Sequence, residues 1–331
     1  MDVLHEKYTN ETYNETTFND VNTSFPVVKV ALMSMWSIMV LVPNCLVLVV
    51  LTVKTNLRKT HRTEFVLWLC ISDLMVGLSS VMYLLTHVAG SLATSPRFCA
   101  LTLHCVYSGV TLSLVHIFFL CYERYLAVVR KIRFQLLNKK MKYILVLGSY
   151  LIVSLYTGIM TACFLRADTI EYCGIQSFPK GKYYMISASI VCLPLLVLTV
   201  FVYIIFVIKL KKQMRKTYTT AFQLTRNNEA MPNHEAVTVP SEARRVEQTF
   251  QQKEREITIT IGLIVVALFL LTGPFIVTKF LEGISAVSLR PAIKISITFL
   301  AGSNSLFNPI LYAWRLPAFR KEVRNIFTKH S

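Results

Sequence analysis

Seven long apolar segments limit the fold of this sequence more than any other feature. They occupy residues 27–53, 63–86, 99–129, 141–165, 183–210, 256–281 and 289–313. Each reaches the roughly 20 residues with which an α-helix crosses a ~30 Å hydrocarbon core. Strands would have to alternate apolar and polar side chains, and these segments do not. The sequence therefore predicts an all-α integral membrane protein, a bundle of seven transmembrane helices.

The basic residues predict how the chain is oriented in the membrane. Four segments on one side (54–62, 130–142, 209–256 and 315–331) hold 25 Lys and Arg, whereas those on the other side hold eight. Because positively charged loops stay in the cytoplasm, we expect an extracellular N-terminus and a cytoplasmic C-terminus, with the protein in the plasma membrane. Nucleic-acid binding, another interpretation of a +17 net charge, is disfavoured because the charges flank the spans.

This topology gives the chain three regions. Residues 1–26 form an extracellular tail with N-glycosylation sequons at Asn10, Asn14 and Asn22. Residues 27–313 form the bundle, including a third cytoplasmic loop at about 211–253. The ends of that loop are expected to extend helices five and six, leaving 222–245 mobile.

The third region, residues 314–331, contains Phe319, Val323 and Phe327 at helical spacing, with basic residues between them. This pattern predicts a short amphipathic helix lying on the inner membrane surface, followed by a short cytoplasmic tail.

One carboxylate, Asp73, lies deep within the second span. A central Asp costs roughly 2.5–3.5 kcal/mol on insertion scales, so it must face the bundle interior and have partners. Polar residues at comparable depth on other spans are Asn44, Ser113, Asn304, Ser305 and Asn308. These groups would hold a sodium ion or a water-filled hydrogen-bond network with Asp73, or else form a purely structural polar cluster.

The third span places two functional residues at opposite membrane surfaces. Cys99 and Arg124 are 25 residues apart, about 37 Å along a helix. Cys99 therefore lies at the outer surface, where it can pair with Cys173 of the second outer loop. The alternative is that both cysteines stay unpaired.

Arg124 ends the third span between Glu123 and Tyr125, and Glu254 begins the sixth span at a similar depth. Pairing of Arg124 with Glu123 and Glu254 would clamp spans three and six together, in a way suited to a switch. An ordinary interfacial arginine is the alternative.

Spans five, six and seven contain prolines that would interrupt their helices. Pro194 and Pro274 lie in spans five and six, and span seven closes with Asn308, Pro309 and, after two apolar residues, Tyr312. A proline removes one helical hydrogen bond, so these positions are candidate hinges.

Taken in order along the spans, these residues resemble the rhodopsin-like family of G-protein-coupled receptors over nearly all of 27–328. The matching positions are Asn44, Asp73, Cys99, Glu123-Arg124-Tyr125, Cys173, Pro194, Glu254, Pro274 and Asn308 to Tyr312. The resemblance implies a receptor that converts binding of an extracellular ligand into activation of a heterotrimeric G protein. It implies an inner cavity around Arg124 for a G-protein helix, and arrestin, receptor kinases and membrane lipid as further partners. No cofactor is implied except an allosteric sodium ion at Asp73.

The resemblance also indicates a ligand pocket. Its positions in this chain are Val106, Tyr107, Val110, Phe275, Ile276, Lys279, Lys294 and Thr298. Bioamine receptors of the family carry Asp where this chain has Val106, and opsins carry Lys at Gly302, so neither an amine nor retinal is expected. Lys279 and Lys294 would attract a ligand anion, which favours an amphipathic anionic lipid or a peptide, or they are solvated loop charges.

Several positions depart from the family pattern. Thr272 stands where the family usually has Trp, and Tyr203 follows Pro194 by nine residues instead of eight. An atypical receptor with constitutive or absent G-protein coupling is therefore an alternative function. A transporter would show repeats or broken helices, and an enzyme would show a catalytic grouping; neither is visible, so the chain is not expected to be an enzyme.

Overall fold

The computed structural model describes residues 30–52, 64–129, 139–229, 241–285, 289–315, 319, 320 and 324, and within these ranges the regular structure is helical. The long helices are α1 (Val30–Thr52), α2 (Glu64–Val88), α3 (Pro96–Val129), α4 (Lys139–Phe164), α5 (Gly181–Glu229), α6 (Ser241–Gly283) and α7 (Pro291–Arg315). A helical turn at Gly90–Ala93 and a 3₁₀ turn at Ile175–Ser177 lie in the connections. Each predicted span coincides with one long helix, and the prediction of a seven-helix bundle is confirmed.

The surface of the bundle is suited to lipid. By length and composition, α1 to α6 can each cross a membrane. Large apolar side chains point outward, among them Leu151 at 67% and Ile152 at 68% exposed on α4. Helix α7, of 25 residues, is long enough to cross as well, and it carries the polar residues Asn304 and Asn308. The protein is a multi-pass membrane protein.

Helix α3 lies at the centre and packs against α2, α4, α5 and α6. A Cβ on Gly109 would lie 2.8 Å from the Val76 side chain and 3.3 Å from the Ser72 carbonyl, so this glycine allows α2 and α3 to approach closely. Helix α1 packs against α2 and α7. Its Trp36 ring meets Phe299 of α7 edge-on, with ring centroids 5.3 Å apart.

Helices α5 and α6 extend further than predicted. The polar ends of the third cytoplasmic loop do continue both helices, as expected, but α5 runs to Glu229 and α6 begins at Ser241. Residues 222–229 and 241–245, which were expected to be mobile, are therefore helical. The added turns are rich in Gln, Glu and Arg, which favour helix almost as well as apolar residues do.

A disulfide marks one end of the bundle. Cys99, in the first turn of α3, is bonded to Cys173 in the segment between α4 and α5. The predicted pairing is confirmed, and the six other cysteines are free, as expected. We call this the disulfide end, and the opposite end, where α3 carries Arg124, the arginine end.

Some predicted features lie outside the described residues. They are the tail 1–26 with Asn10, Asn14 and Asn22, and most of the region 314–331. Of that last region, Phe319 is buried at 4% exposed, in agreement with an apolar face. For Glu254 and Tyr312 the structure describes the helical backbone alone.

Candidate functional site

The Asp73 carboxylate is the centre of a buried polar network. Its side chain is completely buried and accepts three hydrogen bonds from two other helices. Ser113 of α3 donates to Oδ1 at 3.2 Å, Ser305 of α7 donates to Oδ1 at 2.9 Å, and Asn308 of α7 donates to Oδ2 at 2.8 Å. The network therefore joins α2, α3 and α7 in the middle of the bundle, as the cost of a buried carboxylate requires.

Asn44 connects α1 to this network through the backbone. Its Nδ2 donates to the Ser305 carbonyl at 3.0 Å, and the Cys70 thiol of α2 donates to the Asn44 carbonyl. Asn304 is buried at 4% exposed but donates none of the three bonds to Asp73. Of the five predicted partners, three bind the carboxylate directly and one joins it indirectly.

Three asparagines on the helices of this network have unpaired amide oxygens. The Oδ1 atoms of Asn44, Asn304 and Asn308 are buried and have no hydrogen-bond partner in the described part of the chain. Hard cations prefer carboxylate, hydroxyl and amide oxygens. The residues around Asp73 therefore offer the donor set that a sodium ion needs.

A second charged cluster lies at the arginine end. Lys142 of α4 donates to Glu123 Oε1 of α3 and lies 3.9 Å from a carboxylate oxygen of Glu64 at the start of α2. The Lys142 ammonium also lies 5.5 Å from the centre of the Phe65 ring. We call Glu64, Glu123 and Lys142 the charge triad. It ties together α2, α3 and α4.

The charge triad corrects the prediction for Glu123. The sequence suggested Arg124 as its partner, whereas the structure places Lys142 there. Glu123 is 6% exposed and Arg124 is 3% exposed, so both are buried at the end of α3, with Tyr125 partly buried beside them. Neighbours in sequence on a helix point about 100° apart, which lets a residue from another helix take the carboxylate.

Helices α5 and α6 meet through Tyr203 and Gly262. The Tyr203 hydroxyl donates to the Thr258 carbonyl at 3.4 Å. A Cβ on Gly262 would overlap with that hydroxyl oxygen, so the missing side chain leaves the space in which the ring lies. The nine-residue spacing from Pro194 thus still brings Tyr203 onto α6.

The lysines at the disulfide end share a carboxylate. Glu282, near the end of α6, lies 3.0 Å from the Lys279 ammonium and 2.9 Å from the Lys294 ammonium of α7. The Glu282 side chain is 4% exposed, against 13% and 24% for the two lysines. The lysines are therefore not independent solvated charges; with Glu282 they form a partly buried group of net charge +1 that joins α6 to α7.

Residues 43–312 match the protein family described as 7 transmembrane receptor (rhodopsin family). The match covers most of the chain, and its limits enclose the Asp73 network, the charge triad and the disulfide. The chain belongs to the rhodopsin family of receptors. Members of this family are receptors, so the prediction that the protein is not an enzyme is confirmed.

Individual relatives agree with this assignment. The receptor is 23% identical to the human trace amine-associated receptor 8 over 294 residues, which are 85% of this chain and 81% of the relative. A mouse relative, trace amine-associated receptor 7e, is 25% identical over 84% of this chain and 76% of its own length. The mouse 5-hydroxytryptamine receptor 5B is 33% identical over 31% of this chain, and the match spans 28% of that relative. For the corresponding rat protein, the matched part is 20% of its length.

The predicted ligand pocket stays a prediction, although two of its residues contact each other in the receptor structure. Tyr107 and Phe275 contact each other with ring centroids 6.4 Å apart, and Tyr107 also contacts Tyr184 at 5.0 Å. Ile276 is buried, Val106 and Val110 are partly buried, and Thr298 is exposed. A cavity that the structure does contain lies between α3, α4 and α5 and shares only Tyr107 with the predicted set. Its lining residues are Tyr107, Thr111, Tyr156, Thr157, Met160, Tyr184, Ser187, Ala188 and Val191.

Sequence reasoning missed three charged residues of these sites. Glu64 and Lys142 each lie within two residues of the start of a predicted span, and Glu282 directly follows the sixth. The side chains of all three are at most 9% exposed in the receptor. The sequence did contain a signal for them. An ionisable residue at the edge of an apolar segment needs a partner when neighbouring helices cover that end of its own helix.

Proposed function

We propose that this receptor converts binding of an extracellular ligand at the disulfide end into activation of a heterotrimeric G protein at the arginine end. The observation that carries the proposal is Arg124, buried at 3% exposed beside the charge triad, in a chain of the rhodopsin family. A buried guanidinium at a helix end is held by surrounding carboxylates and is released when the helices move apart. Arrestin, receptor kinases and membrane lipid are proposed as further partners.

The proposed orientation puts the N-terminus and the disulfide outside the cell. The disulfide supports it, because such bonds persist in oxidising compartments. The 25 basic residues counted in segments 54–62, 130–142, 209–256 and 315–331 of the sequence support it as well, because they favour the cytoplasmic side. Sequons at Asn10, Asn14 and Asn22 are then available for glycosylation.

For the ligand we propose an amphipathic anion, either a lipid or a peptide. The Lys279–Glu282–Lys294 group has a net charge of +1, and Lys279 lies 5.7 Å from the centre of the buried Phe275 ring. A ligand carboxylate or phosphate would compete with Glu282 for the two ammonium groups, while apolar carbon would contact the aromatic side chains. The relatives are named for amines, but Val106 cannot form the salt bridge of a bioamine receptor, and Glu282 is already paired.

We further propose that the Asp73 network binds sodium. The carboxylate of Asp73 and the hydroxyls of Ser113 and Ser305 would hold the ion, with the amide oxygens of Asn44, Asn304 and Asn308 available nearby. Bound there, the cation would neutralise the buried carboxylate and strengthen the contact between α2, α3 and α7. The unpaired amide oxygens support this proposal.

Replacing Arg124 with alanine tests the coupling. We expect Arg124→Ala to reduce G-protein nucleotide exchange on receptor-containing membranes by about 100-fold or more. The reason is that a charge-assisted contact of ~3 kcal/mol between Arg124 and the G protein would be lost. Nucleotide exchange is measured as GTPγS binding to several reconstituted G-protein classes. Arg97→Ala, which removes an exposed arginine at the disulfide end, serves as the matched control. Equal exchange in both variants would favour the atypical receptor without coupling.

Replacing Lys294 with glutamine tests the ligand class. Long-chain carboxylates and lysophosphatidates, each compared with its neutral amide or alcohol, serve as probes in the same assay. We expect the anions alone to activate, and Lys294→Gln to weaken their potency by about tenfold, since one ion pair of ~1.4 kcal/mol is lost. Lys180→Gln, which removes an exposed loop lysine at the same end, is the control. Equal potency of anion and neutral analogue would rule out the proposed anion contact.

A further inference from the structure

The charge triad is an unusual arrangement for the interior of a helix bundle. Two carboxylates, Glu64 and Glu123, share the single ammonium of Lys142, and the side chains are 9%, 7% and 4% exposed. One oxygen of each carboxylate has no hydrogen-bond partner among the described residues. The triad therefore has a net charge of −1 that its own members do not neutralise.

Arg124 is the buried cation next to this charge. It follows Glu123 directly in α3 and is 3% exposed, so its guanidinium shares the same poorly hydrated end of the bundle. Interactions between buried charges are screened far less than those at the surface. A net negative charge there would attract the guanidinium, and Lys142 would weaken that attraction by neutralising one of the two carboxylates.

We propose that Lys142 sets the activity of the receptor in the absence of ligand, by limiting how strongly Glu64 and Glu123 hold Arg124. The inference rests on the proposed coupling through Arg124. Without the Lys142 ammonium, the charge beside Arg124 becomes −2, and the guanidinium is held more strongly. Without Glu64 the charge becomes zero, and the guanidinium is released more easily.

The two substitutions therefore act in opposite directions on ligand-free nucleotide exchange. We expect Lys142→Met to lower exchange by about fivefold and Glu64→Gln to raise it by about fivefold, the lower range of coupling between sites in a protein. Lys140→Met removes the same charge from the same helix at an exposed position and is expected to leave exchange unchanged. GTPγS binding is measured on membranes containing equal amounts of surface receptor.

A double-mutant cycle separates this role from a general loss of stability. Lys142→Met leaves two buried carboxylates without their cation, so the variant is less stable as well. Glu64→Gln leaves Glu123 and Lys142 as a neutral ion pair. A change in exchange in this variant therefore does not come from an unpaired buried charge that destabilises the fold. In a Glu123→Gln background, Lys142→Met is expected to lower exchange by less than in the wild type, because only the Glu64 carboxylate, at 3.9 Å the more distant of the two, remains for the ammonium to neutralise.

The outcomes are distinct. Opposite shifts for Lys142→Met and Glu64→Gln support the inference, whereas shifts in the same direction, or none, overturn it. If Arg124→Ala abolishes exchange while the triad variants behave as wild type, the inference alone fails and the proposed coupling stands. If Arg124→Ala leaves exchange at the wild-type level, or the wild type supports no exchange with any G-protein class, the proposed coupling fails and the inference fails with it.

Discussion

Cys99→Ser is expected to remove most of the folded receptor from the cell surface. The bond between Cys99 and Cys173 closes a segment of 74 residues in sequence and fixes the connection between α4 and α5 to the start of α3. Both residues are buried, at 0% and 5% exposed, so the bridge is part of the packed disulfide end. Loss of a native disulfide costs about 2–5 kcal/mol, a large part of the ~5–15 kcal/mol that separates folded from unfolded protein.

The measurement is surface labelling of intact cells together with thermal unfolding of purified receptor. Cys163→Ser removes a free, exposed cysteine from α4 and is expected to behave as wild type. Cys173→Ser and the double variant should match Cys99→Ser, because each breaks the same bond. Wild-type surface levels in Cys99→Ser would show that the bridge is dispensable for the fold.

Asp73→Asn is expected to abolish stabilisation of the receptor by sodium. For wild-type protein, an ion present at about 100 times its dissociation constant would raise the free energy of unfolding by ~2.7 kcal/mol. The amide cannot supply the negative charge that offsets the dehydration of the cation. The variant should therefore unfold at the same temperature in sodium chloride and in N-methylglucamine chloride, whereas the wild type should unfold several degrees higher in sodium.

Unfolding temperatures of purified receptor provide this measurement without reference to G protein or ligand. Asp168→Asn, an exposed aspartate between α4 and α5, is the matched control and should keep the full sodium effect. An equal sodium effect in Asp73→Asn and wild type would place any sodium binding elsewhere. An equal effect of potassium would indicate an ionic-strength response instead of a site.

The bundle and the centre of its polar network were predictable because both depend on properties of single sequence segments. An apolar segment of membrane length must be a helix, and Asp73, alone within such a segment, must find donors. Only a few polar residues lie at its depth, so Ser113, Ser305 and Asn308 could be named before the structure was known. The Cys99–Cys173 bond followed equally from depth, since both residues lie at the same surface.

The pairing of the remaining charges was not predictable, because it depends on how each helix is rotated about its axis. Glu123 is next to Arg124 in sequence, yet the structure pairs it with Lys142, 19 residues away on α4. Glu282 lies at a predicted span end and was not predicted as a site residue, although it joins Lys279 and Lys294 across two helices. The order of residues along a span determines the depth of each one in the membrane, but packing decides which neighbour faces it.

The length of α6 has a mechanical consequence. This helix is continuous over 43 residues, and Pro274 lies close to its final residue, Gly283. The part from Ser241 to Pro274 is therefore a lever arm of roughly 50 Å. A tilt of only about five degrees at the proline would carry its far tip through roughly 4 Å. A displacement too small to disturb the packing around Lys279 would thus be amplified into a gap wide enough to admit a side chain of another protein.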